Sequence, residues 1–375
     1  MTPTVLILGG YGNAGRPIAE LLLNGSEARV IIAGRNGERA AAFAADLNGR
    51  VPGERAAACR ADAADTRSLT AALNGVDLLV LAASAIAHTD TVADAVLDAG
   101  VDCLDTLLSS PAKLAALTSR RDRFERSGRR WIADGGFHPG VPAALVRYAA
   151  GRIDALERAV VASRMRIDWA GLRFSPETAP EMAAELADFR PRAFREGTWL
   201  TDWNHFRRVD FGPPLHETGL RCVAMDLAEM APLPGMIPSL RETGFYVAGF
   251  DPLTDNLVMP LGWMALKLFP GALRSPAGRM LAWSLRRGSR APFGVILVLE
   301  ASGRHEGRPV DLRVELAHAD GYLMTAAPVV ACLRQFFALD FPAGIHLQGL
   351  VVEPRRFLED LESMGIAVRI TGALS

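Results

Sequence analysis

The sequence predicts an α/β protein, with an N-terminal doubly wound parallel (Rossmann) sheet and a second α+β domain built on a mixed or antiparallel sheet. Three observations carry that expectation. Val5-Leu6-Ile7-Leu8 is an unbroken apolar run, as a strand buried on both faces of a parallel sheet requires. Gly9-Gly10-Tyr11-Gly12-Asn13-Ala14-Gly15 follows at once and leads into a helix, and strand, glycine turn and helix in that order form a dinucleotide fingerprint. Far downstream, Val310, Leu312, Val314 and Leu316 alternate with Asp311, Arg313, Glu315 and Ala317, the period of a half-buried antiparallel strand.

The glycines fit Gly10-x-Gly12-x-x-Gly15 and Gly9-x-x-Gly12-x-x-Gly15 equally well. Either way the bare backbone can approach a pyrophosphate, and the next helix offers unpaired amides and its positive dipole end. The turn residues Gly9 to Gly15, with Tyr11, Asn13 and Ala14 among them, are therefore the cofactor candidates. Pro17 suits the first helical turn, and the helix runs through Ile18, Leu21, Leu22 and Leu23 to Asn24-Gly25. A second strand, Arg29 to Ala33, ends at Gly34-Arg35-Asn36. An acid at this point would accept ribose hydroxyls, whereas arginine holds a 2′-phosphate. Arg35 stands there with no acid before Glu38, which favours NADP(H).

Glu38 to Leu47 is expected as a helix and Ala56 to Ala61 as a third strand ending at Asp62, which lies near adenine or caps the next helix. The fourth strand, Asp77 to Ala83, ends in small residues, with Ala83 and Ser84 suited to a nicotinamide ribose. His88 then starts or caps a helix to Ala99. Val101 to Asp105 is the fifth strand. Pro111 opens a helix whose end carries Arg120, Arg121, Arg123 and Arg126, expected as a solvated basic face. Trp131 to Asp134 is the sixth strand, and six strands with intervening helices make a doubly wound sheet.

The turn Asp134-Gly135-Gly136-Phe137-His138-Pro139-Gly140 closes that strand and opens a helix at Ala143 to Ala150. Proton-transfer candidates at this end of the sheet are His138, Asp105 and His88, with His138 foremost because imidazole titrates near neutral pH. Asp134, Gly136 and Phe137 are the substrate-binding candidates.

The glycine loop, Gly34-Arg35-Asn36, the strand ending in Asp105 and the Gly-Phe-x-Pro-Gly turn together resemble the saccharopine dehydrogenase family, in its NADP-dependent reductase branch. Tyr322-Leu323-Met324-Thr325-Ala326 is similar to the family's late Tyr-x-x-Thr-Ala segment. The resemblance implies hydride transfer to or from a C=N bond. Two departures lie where the family holds its amino-acid substrate: His138 replaces an aspartate, and Asp105-Thr106 leads into Leu107-Leu108 without an aromatic. Saccharopine itself is therefore not the expected substrate. Two alternatives stay open, an enoyl-reductase-like or lipid-associated reductase with a hydrophobic substrate, and a non-catalytic NADP(H)-binding regulator.

The chain has 375 residues, half of them apolar, and 41 basic against 42 acidic residues, which argues against a nucleic-acid partner. Cys59, Cys103, Cys222 and Cys332 lack metal or disulfide spacing, so no metal is expected and a reduced, cytoplasmic protein is. No leader and no membrane span is expected. The boundaries read as an NADP-binding domain at 1–151 and a substrate and homodimerisation domain at 152–321, with 322–375 packing back on the first. In the second domain, strands are expected at 158–168, 244–250, 295–301 and 310–317, and helical pieces at 180–189, 257–270 and 277–286. A helix around Phe357, Leu358 and Leu361 precedes a last strand at 367–370. The apolar segment 257–270 reads first as a buried helix, and otherwise as a wall for a lipophilic substrate or a peripheral membrane contact, with Arg286, Arg287 and Arg290 nearby.

Overall fold

In chain order the elements begin β1 (Thr4–Leu8), α1 (Gly15–Gly25), β2 (Arg29–Gly34), α2 (Gly37–Arg50), β3 (Ala56–Arg60), α3 (Thr66–Ala72) and β4 (Leu78–Leu81). They continue with α4 (Thr89–Ala99), β5 (Asp102–Asp105), α5 (Pro111–Thr118), α6 (Arg121–Ser127), β6 (Arg130–Ala133) and α7 (Pro142–Ala150). Next come β7 (Ala155–Arg166), β8 (Arg192–Arg195), β9 (Thr198–Thr201), β10 (Phe206–Phe211), β11 (Glu217–Met225) and β12 (Glu242–Ala248). A helical pair, α8 (Met259–Leu268) and α9 (Arg274–Gly288), leads to β13 (Gly294–His305) and β14 (Arg308–His318). The chain closes with α10 (Gly321–Ala338), β15 (Gly344–Leu347), α11 (Pro354–Ser363) and β16 (Ala367–Gly372). This computed structural model describes residues 2–171, 183, 186–269 and 272–373. Half of the helix expected at 180–189 lies outside the described residues, and residues 183 and 186–188 are helical.

Two compact units emerge: the chain up to Ala144 with Tyr322–Met364, and Leu145–Gly321 with the residues from Gly365 onward. The first holds a seven-stranded sheet in the order β15-β6-β5-β4-β1-β2-β3, with every pairing parallel. The expected α/β class is what the chain adopts. Val5 to Leu8 are almost wholly buried, because helices cover both faces of such a sheet. Local chemistry sets the boundaries: Ser110 caps α5 through the Lys113 amide, with Pro111 in its first turn, and Gly100 and Gly128 end α4 and α6 at φ +67° and +68°, a conformation that disfavours a side chain.

The expected arginine-ended helix breaks into α5 and α6. Its arginines are not simply solvated: Arg120 pairs with Asp90 and Asp94, and Arg123 with Asp94 and Asp98. Those aspartates recur every fourth residue along α4 and so share one face. β15 adds a seventh strand beside β6, pairing Gly344–Leu347 with Arg130–Ala133; four residues with only two large apolar side chains carry no sequence signal of their own.

The second unit is a nine-stranded mixed sheet, β10-β11-β12-β7-β13-β14-β16 with β8 and β9 attached to β12. Strands β8, β10 and β11 carry no clear apolar pattern because Arg192, Arg195, Arg207, Arg208 and Arg221 interrupt their apolar residues, and β9 is only four residues long. One expectation needs correcting: the tail beyond residue 364 does not join the first unit. Ala367–Gly372 pairs antiparallel with Leu312–Ala317, and backbone hydrogen bonds to β14 decide its place.

Candidate functional site

Because every strand of the first sheet runs the same way, the loops after β1 to β6 gather at one edge, with the topological switch between β1 and β4. Open α/β sheets bind ligands at that point. There the glycines are required sterically. Gly9 sits at φ +88°, and a Cβ on it would come 2.6 Å from the Ala82 carbonyl oxygen. A Cβ on Gly10 would meet the Ile7 carbonyl at 2.8 Å, and one on Gly15 would collide with the Gly9 carbonyl. Gly12 donates its amide to Gly9 O at 2.8 Å, so both glycine spacings read in the sequence describe one tight turn. Helix α1 starts with no side-chain cap and no acidic residue in its first turn. Helices α2, α3, α5 and α11 are capped by Asn36, Asp65, Ser110 and Glu353, whereas α4 and α6, like α1, have no side-chain cap. An anion fits at the N-terminus of α1 and completes it.

Tyr11 ties this turn to the end of β2. Its ring lies against Gly34, where a Cβ would come 2.6 Å from the ring, and its hydroxyl accepts the Asn36 amide at 3.0 Å. The Arg39 guanidinium stands 4.8 Å from the Tyr11 ring centroid. Arg35 is exposed at this strand end, and Arg60 is the register partner of Gly34 on β3. Arg39 and Arg60 were not singled out from the sequence: Arg39 lies in the first turn of α2, and the β2–β3 register brings Arg60 beside the end of β2. Asn36 uses its side-chain oxygen to cap α2 through the Arg39 amide. Asp62 accepts the Ala64 amide at 3.1 Å, while the helix cap falls to Asp65. Asn13 donates to the Tyr322 hydroxyl at 2.9 Å, joining the glycine turn to α10. Ala83 and Ser84 follow β4 beside the Gly9 contact, and His88, partly exposed, precedes α4 without capping it.

Beneath the loop after β5 lies a buried ion cluster that sequence reading missed. Lys113 donates to Asp105 Oδ1 at 2.6 Å, to Asp134 Oδ1 at 3.0 Å and to the Leu107 carbonyl. Trp131 Nε1 donates to Asp105 Oδ2 at 2.6 Å, and Ser109 donates to Asp134 Oδ1 at 2.6 Å. All three charged residues are essentially inaccessible. Burial pulls the Lys113 ammonium down, but the charges and hydrogen bonds of Asp105 and Asp134 outweigh it and its pKa is raised. Burial pushes Asp134 up against the opposing pull of Lys113, so Asp134 is the oxygen acid that protonates more readily than usual. Its Oδ2 has no donor among the described residues. Asp105, expected at the open end of the cleft, instead has both oxygens committed inside the protein.

The turn after β6 rests on this cluster. Asp134 takes φ +61°, Gly135 donates to the Asp105 carbonyl at 2.7 Å, and Gln348 donates its Nε2 to the Gly136 carbonyl at 3.0 Å. His138 stacks edge-on against Phe137 with 4.0 Å between centroids. Burial lowers its pKa to about 4, so the imidazole expected to titrate near neutrality is held neutral there.

Residues 5–131 match the family model described as the saccharopine dehydrogenase NADP binding domain. Over this third of the chain the sequence is similar to the NADP binding domain of saccharopine dehydrogenases. Its first unit is a nicotinamide-dinucleotide domain, and the chain is an NAD(P)-dependent oxidoreductase. Saccharopine dehydrogenase (L-Glu forming) of Saccharomyces cerevisiae has the same fold at 12% identity and TM-score 0.69, with 99% of this chain and 100% of that one covered. DAP dehydrogenase of C. glutamicum is more distant, at 14% identity and TM-score 0.47 over 97% and 99% of the two chains. No curated protein matches the sequence.

The second unit holds a cavity of about 560 Å³ of its own, lined in part by Trp169, Phe250, Trp283, Arg164 and Arg166. Arg164 is engaged by Glu217 at 2.7 Å.

Two stability measurements check the electrostatics of the first unit. Lys113→Met leaves two buried carboxylates without a cation and should cost about 3–5 kcal/mol in urea unfolding at neutral pH; Asp134→Asn, which keeps the Lys113–Asp105 pair, should cost clearly less. For His138 the unfolded ring titrates near 6.5 and the folded ring at about 4, so between those values only the unfolded chain takes up the proton. Its contribution is intact above pH 6.5 and falls as pH drops towards 4, by at most about 3 kcal/mol. His138→Gln should flatten the unfolding free energy across that window relative to the parent.

Proposed function

We propose that the protein is an NADP(H)-dependent enzyme that transfers hydride to or from the C=N bond of an imine- or opine-type substrate other than saccharopine. The observation carrying the cofactor choice is the set of arginines, Arg35, Arg39 and Arg60, around the end of β2, where guanidinium groups suit a ribose 2′-phosphate. The glycine turn, with Tyr11, Asn13 and Ala14, holds the diphosphate. Arg35 and Asn36 face the phosphorylated ribose, Asp62 the adenine, and Ala83 and Ser84 the second ribose. Bound NADP(H) supplies the hydride.

The substrate lies against Gly136 and Phe137, and Asp134 supports that turn from below through Lys113. His138, neutral at working pH, orients the substrate by hydrogen bonding rather than by giving up a charge. His88, partly exposed at the end of the loop after β4, is the better proton donor, since His138 is held neutral. Asp105 serves the scaffold, because its oxygens already hold Lys113 and Trp131. The replacement of the family's usual aspartate by His138 removes a negative charge from the substrate turn, which supports a substrate other than saccharopine. The four cysteines are unbridged, which supports a reducing, cytoplasmic setting, and a homodimer is expected in sedimentation. An apolar enoyl substrate is the second reading, supported by the aromatic lining of the cavity in the second unit.

Titration calorimetry should show NADPH affinity falling at least about tenfold in Arg35→Asp, with NADH affinity little changed, as loss of a charge-assisted phosphate contact requires. Equal losses for both nucleotides would remove the NADP assignment. NADPH oxidation should need an α-keto acid and a primary amine together. Oxidation with an enoyl thioester instead selects the second reading, and binding without turnover marks a regulator. In the active system, His88→Asn should lower kcat about 10²–10⁴-fold with KM little altered, and His138→Asn should act mainly on KM.

A further inference from the structure

Helix α8 and the helical turn before it (Thr254–Val258) are apolar from 257 to 269 apart from Lys267, yet only one face is covered. Val258, Gly262 and Leu266 turn inward, where they meet Leu186, Ala277, Leu281 and Leu285. The opposite face carries Leu257, Leu261, Met264 and Leu268, between 44% and 65% exposed, and at 100° per residue these four fall within about 60° of one another. Leu253 before the helix and Phe269 after it are exposed as well, and Trp283 on α9 is 57% exposed. A helix of this kind belongs in a core or against lipid, and nothing among the described residues covers this side.

Charge decides what does. Between residues 256 and 290 the sequence has six basic residues and no acidic one. Lys267, Arg279, Arg286, Arg287 and Arg290 are exposed around the apolar stripe, and Lys267 stands 4.6 Å from the Trp263 ring. A second copy of the chain docking here would bring the same cations face to face, and that repulsion opposes self-association. An anionic bilayer offers the complement: its interface takes leucine, methionine and tryptophan side chains while its headgroups attract arginine and lysine. No helix among the described residues is long and apolar enough to cross a membrane, so the pair would lie along the interface.

We propose that the α8–α9 pair is a peripheral membrane-docking surface that seats the second unit on anionic lipid. This does not depend on the cofactor or substrate reading. The test is co-sedimentation of the full chain with phosphatidylcholine vesicles, with and without about 30 mol % phosphatidylserine. The protein should sediment with the anionic vesicles only and be released by about 0.5 M NaCl. Leu261→Glu with Met264→Glu, and separately Arg286→Glu with Arg287→Glu, should each weaken binding at least about tenfold, with melting curves by circular dichroism showing that both variants stay folded. No binding to anionic vesicles, or equal binding to neutral ones, overturns the proposal. So does a dimer in sedimentation velocity that the Leu261→Glu, Met264→Glu variant abolishes, which would make this face a contact between copies.

Discussion

Close backbone approach at the glycine turn is the constraint on which the rest of the first unit depends. Gly9 lies against the carbonyl of Ala82 on the β4 side, Gly10 against Ile7 and Ile32, and Gly15 against Gly9 itself. Side chains at these points would push α1 off the sheet and separate β1 from its neighbours. The same compact turn supplies the Gly12 carbonyl to the Arg16 amide and leaves α1 without a side-chain cap, so one requirement serves packing and the anion-binding end of the helix. Tyr11 extends it to β2, since its ring needs Gly34 bare and its hydroxyl holds the Asn36 amide.

The other half of the site is held electrostatically. Lys113, Asp105 and Asp134 are out of water, and such a cluster stabilises only when its geometry satisfies every group. Most of it is satisfied: Trp131, Ser109 and Leu107 complete the bonding around the three charges. The remaining oxygen of Asp134, with burial raising that carboxyl's pKa, makes the cluster sensitive to its own protonation. Because Gly135 hangs from the Asp105 carbonyl and Gln348 clamps Gly136, a disturbance of the cluster reaches the turn that carries Phe137 and His138.

The second unit balances its charges differently on its two sides. Its sheet carries paired ions such as Arg158 with Glu300 and Arg313 with Glu300, where each cation has its anion within the fold. The α8–α9 pair lies in a stretch, 256–290, with six basic residues and no acidic one, and carries leucines that nothing among the described residues covers. Net charge over the whole chain is close to zero, so this local excess is invisible in the totals.

By itself the sequence determined the α/β class, the glycine turn, most strands of the first sheet and the arginine beyond β2, because these depend on local patterns: an apolar run, a glycine spacing, a strand end. Tertiary structure alone decided that Arg60 joins Arg35, that Lys113 sits between Asp105 and Asp134, and that Gln348 holds the turn of Gly136. It also decided that β15 and β16 go to different sheets and that α8 is half exposed. These are contacts between residues far apart in the chain or questions of which face is covered. No short window of sequence records them, since hydrogen-bond partners and burial are properties of the assembled fold.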